Sequence, residues 1–110
     1  MKIPNADKAV VDIRKLREYC LSMDHPRGKH KARVFRTVLG LTANDAEELQ
    51  KTLLAIVQTR DAVVTESDQY GTRYVIDFVM SKGTRNATIR SSWIIRSNED
   101  FPRLTSCYIL

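Results

Sequence analysis

The chain has 110 residues, of which 43% are hydrophobic and 28% charged, and 18 Lys and Arg against 13 Asp and Glu give a formal net charge of +5. These values are typical of one globular domain, residues 1–110, with a single core. No apolar run reaches the roughly 20 residues that cross a bilayer, and the N-terminus lacks the apolar stretch of a signal peptide. We therefore expect a cytoplasmic protein with no membrane contact. The positive charge favours polyanionic partners but does not specify a fold.

Several classes of site are absent from the sequence. Cys20 and Cys107 are far apart and lack metal-ligand spacing, so we expect two reduced thiols, no metal site and no cofactor. No nucleotide-binding glycine loop, paired catalytic carboxylates or nucleophile elbow occurs. Any chemistry must therefore come from a different set of side chains.

The first half of the chain has helical patterns. Asp12 is a suitable N-cap for a helix that runs to about Ser22. Pro26 and Gly28 in the segment His25–Gly28 then break the helical pattern, because proline disfavours helix in the residue before it and glycine permits a turn.

Two further helices follow this break. A second helix is predicted over Lys29–Leu39, where Gly40 provides a C-terminal signal. A third begins at Thr42, because Asp45 lies three residues later in the arrangement of a capping box.

From residue 62 onward the hydrophobic period changes to two, which indicates strands. The short connections between them favour antiparallel pairing. Helices first and strands afterwards predict an α+β fold, with about three N-terminal helices packed on a C-terminal antiparallel sheet of about four strands. The predicted strands are Ala62–Glu66, Arg73–Met80, Ala87–Arg96 and Leu104–Ile109.

The strands have one apolar and one polar face. Apolar side chains alternate onto one face, which should meet the helices; they are Tyr74, Ile76, Phe78, Met80, Ile89, Trp93 and Ile95. The last strand is predicted to alternate Arg103, Thr105 and Cys107 against Leu104, Ser106 and Tyr108. The polar face, with arginines that include Arg73 and Arg103, is either a solvated face or a basic platform for a phosphodiester.

Basic residues are concentrated between His25 and Arg36. Both histidines and five of the lysines and arginines lie there, and no acidic residue occurs from His25 to Asn44. Four of these cations are either solvated charges or phosphate contacts: Arg27, Lys29, Arg33 and Arg36.

Two residues of this segment are candidates for chemistry. A helical wheel places Lys31 within the buried stripe that Ala32, Phe35, Val38 and Leu39 define. A lysine there either packs its stem with the ammonium at the rim or points into a cleft. The loop residue His25 either contacts backbone groups or acts as a general acid or base.

These residues are part of a larger pattern. The chain resembles a bacterial domain of unknown function that occurs as small stand-alone proteins and as C-terminal modules of polymorphic toxins. The resemblance covers essentially the whole chain. Its N-terminal part is Ile3-Pro4-Asn5-Ala6 with Asp12 and Lys15-Leu16. The later matches are His25-Pro26-x-Gly28-x-x-Lys31-Ala32-x-x-Phe35, Tyr70-Gly71 with Tyr74-Val75, Arg90-x-x-Trp93-Ile94-Ile95, and Pro102-Arg103-Leu104-Thr105-x-x-Tyr108.

Toxin modules of this layout often resemble the barnase/EndoU/colicin/RelE group of metal-independent ribonucleases, and the resemblance implies that fold and activity. It implies that His25 and Lys31 form an acid–base and phosphate-binding pair, with Arg90 and Thr105 on the sheet. The implied reaction is attack of a ribose 2′-OH on the adjacent phosphate, which gives a cyclic phosphate.

The alternative is a non-catalytic module that binds nucleic acid or protein. RNA and a small acidic protein of the antitoxin or immunity type are the two candidate partners. The sequence does not specify an oligomeric state.

Overall fold

In the computed structural model, which describes all residues 1–110, local capping signals define the helices. The Asp12 carboxylate accepts a hydrogen bond from the Arg14 amide at the start of α1 (Ile13–Lys15). Thr42 and Asp45 form a complete capping box before α3 (Ala46–Thr59), with a short 3₁₀ turn, Ala43–Asp45, between them. The predicted N-caps of the first and third helices are therefore confirmed.

Two helices change to π-helical geometry in their second half. α1 continues as the π-helical turn Leu16–Cys20, and α2 (Lys29–Val34) continues as the π-helical turn Phe35–Leu39. The second of these ends at Gly40, which adopts the left-handed conformation with φ of 69°. The predicted termination at this glycine is confirmed.

The π-helical turn corrects the predicted wheel of the second helix. Phe35 and Leu39 are buried as expected, but Val38 is 37% exposed and Lys31 is also exposed. A π-helical turn hydrogen-bonds i to i+5, so it rotates Val38 away from the position that 100° per residue assigns. Lys31 precedes the turn, and its long side chain extends from the helix to the Tyr108 ring. The prediction that Lys31 and Val38 lie in the buried stripe was wrong.

The second half of the chain forms one antiparallel sheet in the order β1-β2-β3-β4. The α+β class with N-terminal helices on a four-stranded antiparallel sheet is thereby confirmed. Each strand pairs with its neighbour in sequence, as short connections require. The strands are β1 (Val63–Asp68), β2 (Gly71–Lys82), β3 (Arg85–Arg96) and β4 (Pro102–Ile109).

The helices cover one face of this sheet. All four apolar side chains predicted for β2 are buried, and Trp93 of β3 is fully buried beneath the helices. The sequence pattern missed Ser91, which shares the core face with Trp93. Its hydroxyl donates to the Ile76 carbonyl at 2.8 Å and accepts from the Trp93 indole N–H at 2.9 Å, so both buried polar groups are satisfied.

A bulge overturns the predicted alternation in β4. Ser92 pairs with Ser106, whereas the next residue, Trp93, pairs with Leu104, which leaves Thr105 as an extra residue. Leu104 and Cys107 therefore share the buried face, although a strict period of two assigns them to opposite faces.

The N-terminal segment closes the start of the β4 edge. Val10 forms a parallel bridge with Arg103: its amide donates to the Pro102 carbonyl at 2.9 Å, and its carbonyl accepts from the Leu104 amide at 3.0 Å. No helix of the protein has both the length and the apolar character needed to cross a membrane.

Candidate functional site

His25 is a half-buried residue at the entrance to α2. Its Nδ1 accepts hydrogen bonds from the Arg27 amide at 3.0 Å and the Gly28 amide at 3.1 Å. Its ring lies edge-to-face against Tyr19, with 4.6 Å between the ring centroids. The side chain therefore caps the amides that precede the helix.

This geometry defines the chemistry that His25 offers. Because Nδ1 accepts from two amides, the neutral ring carries its proton on Nε2. A proton added at Nδ1 would break both hydrogen bonds. Nε2 is the nitrogen that the cap leaves available to a ligand.

Gly28 allows the loop to come close to the first helix. A Cβ at this position would clash with the Tyr19 carbonyl oxygen, because the two atoms would be much closer than van der Waals contact. Only glycine permits this approach, which holds the His25 loop against Tyr19.

Lys31 reaches from α2 to the edge of the sheet. Its Nζ lies 4.5 Å from the centroid of the Tyr108 ring, in cation–π geometry. The pKa of Cys20 is lowered, chiefly by its contact with Cys107 and in part by the charges of Lys15 and Lys31. Both lysines therefore lie near the buried contact between the first helix and β4, and neither forms an ion pair.

Arg90 is the cross-strand neighbour of Tyr108. The two residues are directly opposite in the β3–β4 ladder. Arg90 also forms a bidentate pair with Asp77 of β2, with both N–O distances 2.9 Å. The Arg90 guanidinium lowers the pKa of the Asp77 carboxyl, and Asp77 first and Tyr108 second raise the pKa of Arg90.

Thr105 is the bulged residue of β4. Its hydroxyl donates to the Ser92 carbonyl at 3.0 Å, across the irregular part of the ladder. Together with Lys15, Arg96 and Arg103 it lines a cavity of about 150 Å³.

The structure therefore brings some of the predicted residues together. Lys31 and Arg90 converge on Tyr108, and Thr105 lies three residues before Tyr108 in the same strand. We call the group Lys31, Tyr108 and Arg90 the edge cluster. No hydrogen bond or ring contact joins His25 to it; the nearest link is through Tyr19 and the neighbouring Cys20.

Sequence reasoning missed Tyr108 and Lys15 as members of this region. The signal for Tyr108 was its place at the end of the motif Pro102-Arg103-Leu104-Thr105-x-x-Tyr108. The signal for Lys15 was its place in the matched pair Lys15-Leu16, whereas its position beside β4 depends on the tertiary packing of the first helix.

The remaining arginines proposed for the sheet are neutralised by carboxylates. Arg73 pairs with Asp68, and Arg103 pairs with Glu99, both at 2.7 Å. The Tyr70 amide and then the Arg73 guanidinium lower the pKa of Asp68, and hydrogen bonding from Arg103 lowers the pKa of Glu99.

The cations of α2 have a different environment. Arg27, Lys29 and Arg33 are exposed and form no ion pair. Arg36 is also exposed and unpaired, but it lines a separate cavity between the helices. The four cations of the basic segment therefore divide into an outward-facing set of three and one cavity residue.

Comparison with known proteins assigns the sequence to a family and the structure to a known fold. The sequence model of a family described as "Domain of unknown function (DUF6883)" matches residues 2–110. No curated protein matches the chain. A solved structure, a contact-dependent growth inhibition toxin–immunity protein complex from Klebsiella pneumoniae 342, contains a similar chain with a TM-score of 0.70 and 13% identity. The alignment covers 94% of this chain and 95% of that one, so the two share a fold.

Proposed function

Because this chain belongs to the DUF6883 family, whose function is unknown, we propose from its geometry that it is a toxin-related domain that binds RNA and cleaves it without a metal ion. The observation that carries the proposal is the edge cluster, where the Lys31 ammonium lies over the Tyr108 ring and Arg90 is directly opposite Tyr108 in the β3–β4 ladder. The fold shared with a chain of a toxin–immunity protein complex supports the relation to toxins.

The two cations suit a phosphodiester at the edge of β4. Lys31 has no carboxylate partner, so a phosphate oxygen can occupy its free donor positions. Arg90 is held in place by its two hydrogen bonds to Asp77 and lies opposite Tyr108 in the β3–β4 ladder. Fixed cations stabilise the negative charge that develops on phosphorus when a ribose 2′-OH attacks it.

The proposed reaction forms a bond between the 2′ oxygen and phosphorus and breaks the bond from phosphorus to the 5′ oxygen of the next nucleotide. The products are a cyclic phosphate and a free 5′-OH. In this proposal a water molecule takes the proton of the 2′-OH, and His25 gives its Nε2 proton to the departing 5′ oxygen. Nδ1 gains a proton from solvent in the same step, which opens the backbone cap and leaves the ring neutral.

The direct test is cleavage of single-stranded RNA by the purified protein in EDTA. We expect Lys31→Ala to lower the cleavage rate by about 100-fold, the magnitude typical for loss of one group that stabilises the developing charge. Lys51→Ala is the matched control, because Lys51 is an exposed, unpaired lysine of α3. Equal rates for the two variants, or a wild type that cleaves none of a panel of RNAs, would overturn the proposal.

A second pair of variants separates the two roles of His25. His25→Asn retains a side-chain oxygen that can accept from the Arg27 and Gly28 amides, whereas His25→Ala removes the cap. If His25 transfers a proton, both variants lose cleavage while His25→Asn keeps the thermal stability of the wild type. Cleavage by His25→Asn at the wild-type rate would assign the histidine to capping alone.

The α2 surface favours a second candidate, a non-catalytic module that binds a polyanion. Its supporting observation is that Arg27, Lys29 and Arg33 are exposed and unpaired. Such a module binds RNA with an affinity that falls linearly with salt on a log–log plot. It would leave the RNA intact, and His25→Ala would not change binding.

A further inference from the structure

A cavity of about 330 Å³ lies on the helical side of the molecule, away from the open face of the sheet. It lies between the end of the first helix, the second helix and the loop that precedes α3. Leu21, Ala32 and Leu41 form its apolar lining and belong to the buried core. Its volume is at the lower end of the range for ligand pockets and admits one or two side chains.

Two arginines lie at the rim of this cavity. Arg17 comes from the first helix and Arg36 from the second, and both are exposed. Arg36 has no ion-pair partner, and Arg17 contacts Glu47 only at 3.7 Å through largely exposed side chains. An exposed ion pair of this kind contributes little and is readily exchanged.

We propose that this cavity is a docking site for an acidic protein segment, which inserts one aliphatic side chain against Leu21, Ala32 and Leu41 and pairs carboxylates with Arg17 and Arg36. The inference goes beyond the RNA chemistry of the edge cluster and does not depend on it. Charge complementarity favours an acidic partner. The segment from His25 to Asn44, which contains the second helix, has several cations and no acidic residue.

The lining of the cavity favours protein over RNA as the occupant. Single-stranded RNA is held by aromatic side chains on which bases stack, and no aromatic residue lines this cavity. The hydrophobic part of the lining is aliphatic apart from Met23, which is 38% exposed, and the rest is polar or charged. An exposed methionine next to aliphatic residues is typical of surfaces that adapt to a partner side chain.

One carboxylate in the cavity restricts where the bound segment can place its own acidic side chains. Asp24 lines the same cavity as the two arginines. A uniformly acidic segment would be repelled there, so the segment should place its carboxylates at Arg17 and Arg36 and its apolar side chain between them.

The test uses two fluorescein-labelled peptides and fluorescence anisotropy with the full-length protein. Both peptides are rich in Asp and Glu; one has a central leucine and the other a serine in its place. The leucine peptide should bind at least about 10-fold more tightly, since burial of one leucine contributes about 1.5–3 kcal/mol. Equal binding of the two peptides, or no binding of either, would overturn the proposal.

Variants locate the binding. The double variant Arg17→Glu with Arg36→Glu should lower the affinity for the leucine peptide by at least about 10-fold. Ser22→Trp, which fills the cavity without a charge change, should lower it by the same amount. The matched control is Lys51→Glu with Arg60→Glu, two exposed and unpaired cations outside the cavity. Thermal unfolding verifies that each variant folds.

A labelled single-stranded RNA of equal charge serves as the competing probe. If Ser22→Trp lowers the affinity for the RNA as much as the affinity for the leucine peptide, the cavity is a nucleic-acid subsite and the proposal fails. If only the peptide is affected, the proposal stands, whether or not the protein cleaves RNA.

Discussion

Two regions of this protein carry many cations, but they differ in what surrounds those cations. On the sheet, Arg73, Arg90 and Arg103 are each hydrogen-bonded to a carboxylate. On α2, by contrast, the outward-facing cations form no ion pair. Carboxylates hold the sheet arginines in fixed positions, whereas the second set is free to pair with a ligand. The difference teaches that unpaired cations, rather than the number of arginines, contribute most of the affinity for a polyanion, while a fixed arginine such as Arg90 can act on the reacting phosphate.

Removal of the α2 cations should have the largest effect on RNA affinity. We expect the triple variant Arg27→Ala, Lys29→Ala and Arg33→Ala to bind single-stranded RNA about 100-fold more weakly at low salt, with the slope of log K against log salt reduced by about 2. Anisotropy titrations over a series of salt concentrations measure both quantities. Arg73→Ala with Arg103→Ala is the matched comparison, and an equal loss there would remove the distinction between the two regions.

A change that frees a sheet arginine should sharpen the comparison. Asp77→Ala removes the bidentate partner of Arg90, so we expect RNA affinity to rise about threefold and the salt slope to grow by about 0.7. Asp7→Ala changes the net charge equally at an exposed, unpaired carboxylate and is the control. A similar gain in both variants would mean that net charge alone controls binding.

The attachment of α2 depends on the backbone cap that His25 provides. His25→Ala leaves the Arg27 and Gly28 amides without their acceptor, and we expect it to lower the free energy of unfolding by about 1 kcal/mol, as for loss of a helix cap. His25→Asn should recover most of this stability. Urea titrations measure the difference, and an unchanged midpoint for His25→Ala would show that water replaces the cap.

The smallest predicted effect is on stability at acidic pH, which depends in part on the ion pairs of the sheet. Their arginine partners lower the pKa of Asp77 and Glu99 in the folded state. Stability from these pairs is present above the pKa of the unfolded carboxylates and is lost as pH falls through the lower folded pKa. Asp77→Asn with Glu99→Gln should therefore show a shallower decline in Tm between pH 5 and pH 3, roughly the range of those pKa values. Lys29→Ala with Arg33→Ala should keep the wild-type slope.

Local signals predicted most of the fold. The capping box at Thr42 and Asp45, the cap at Asp12 and the terminating Gly40 act within a few residues, so they can be recognised in the sequence. The alternation in β2 was equally clear because one face of that strand is buried along most of its length.

The predictions failed where the backbone departs from a regular period. The π-helical turn after Val34 moves Val38 out of the buried stripe, and the bulge at Thr105 reverses the faces of the residues after it. Neither irregularity has a sequence signature as strong as a helix cap.

The sequence predicted only part of the candidate site, because the contacts within the site depend on strand register. Lys31 and Arg90 carried recognisable motifs, but their common neighbour Tyr108 depends on the β3–β4 register. That register includes the bulge, so the residues opposite one another cannot be counted from the hairpin. The ion pair between Arg90 and Asp77 depends in the same way on the pairing of β2 with β3.

The bridge that Val10 forms with the start of β4 has a consequence for self-association. An unpaired strand edge is a template on which other copies can add strands, and the N-terminal segment occupies that template with its own backbone. At the opposite edge, β1 carries a bulge and the unpaired carboxylate of Glu66, two features that disfavour the addition of a strand. Loss of the first ten residues would expose the backbone groups at the start of β4 and make this edge more prone to pair with another copy.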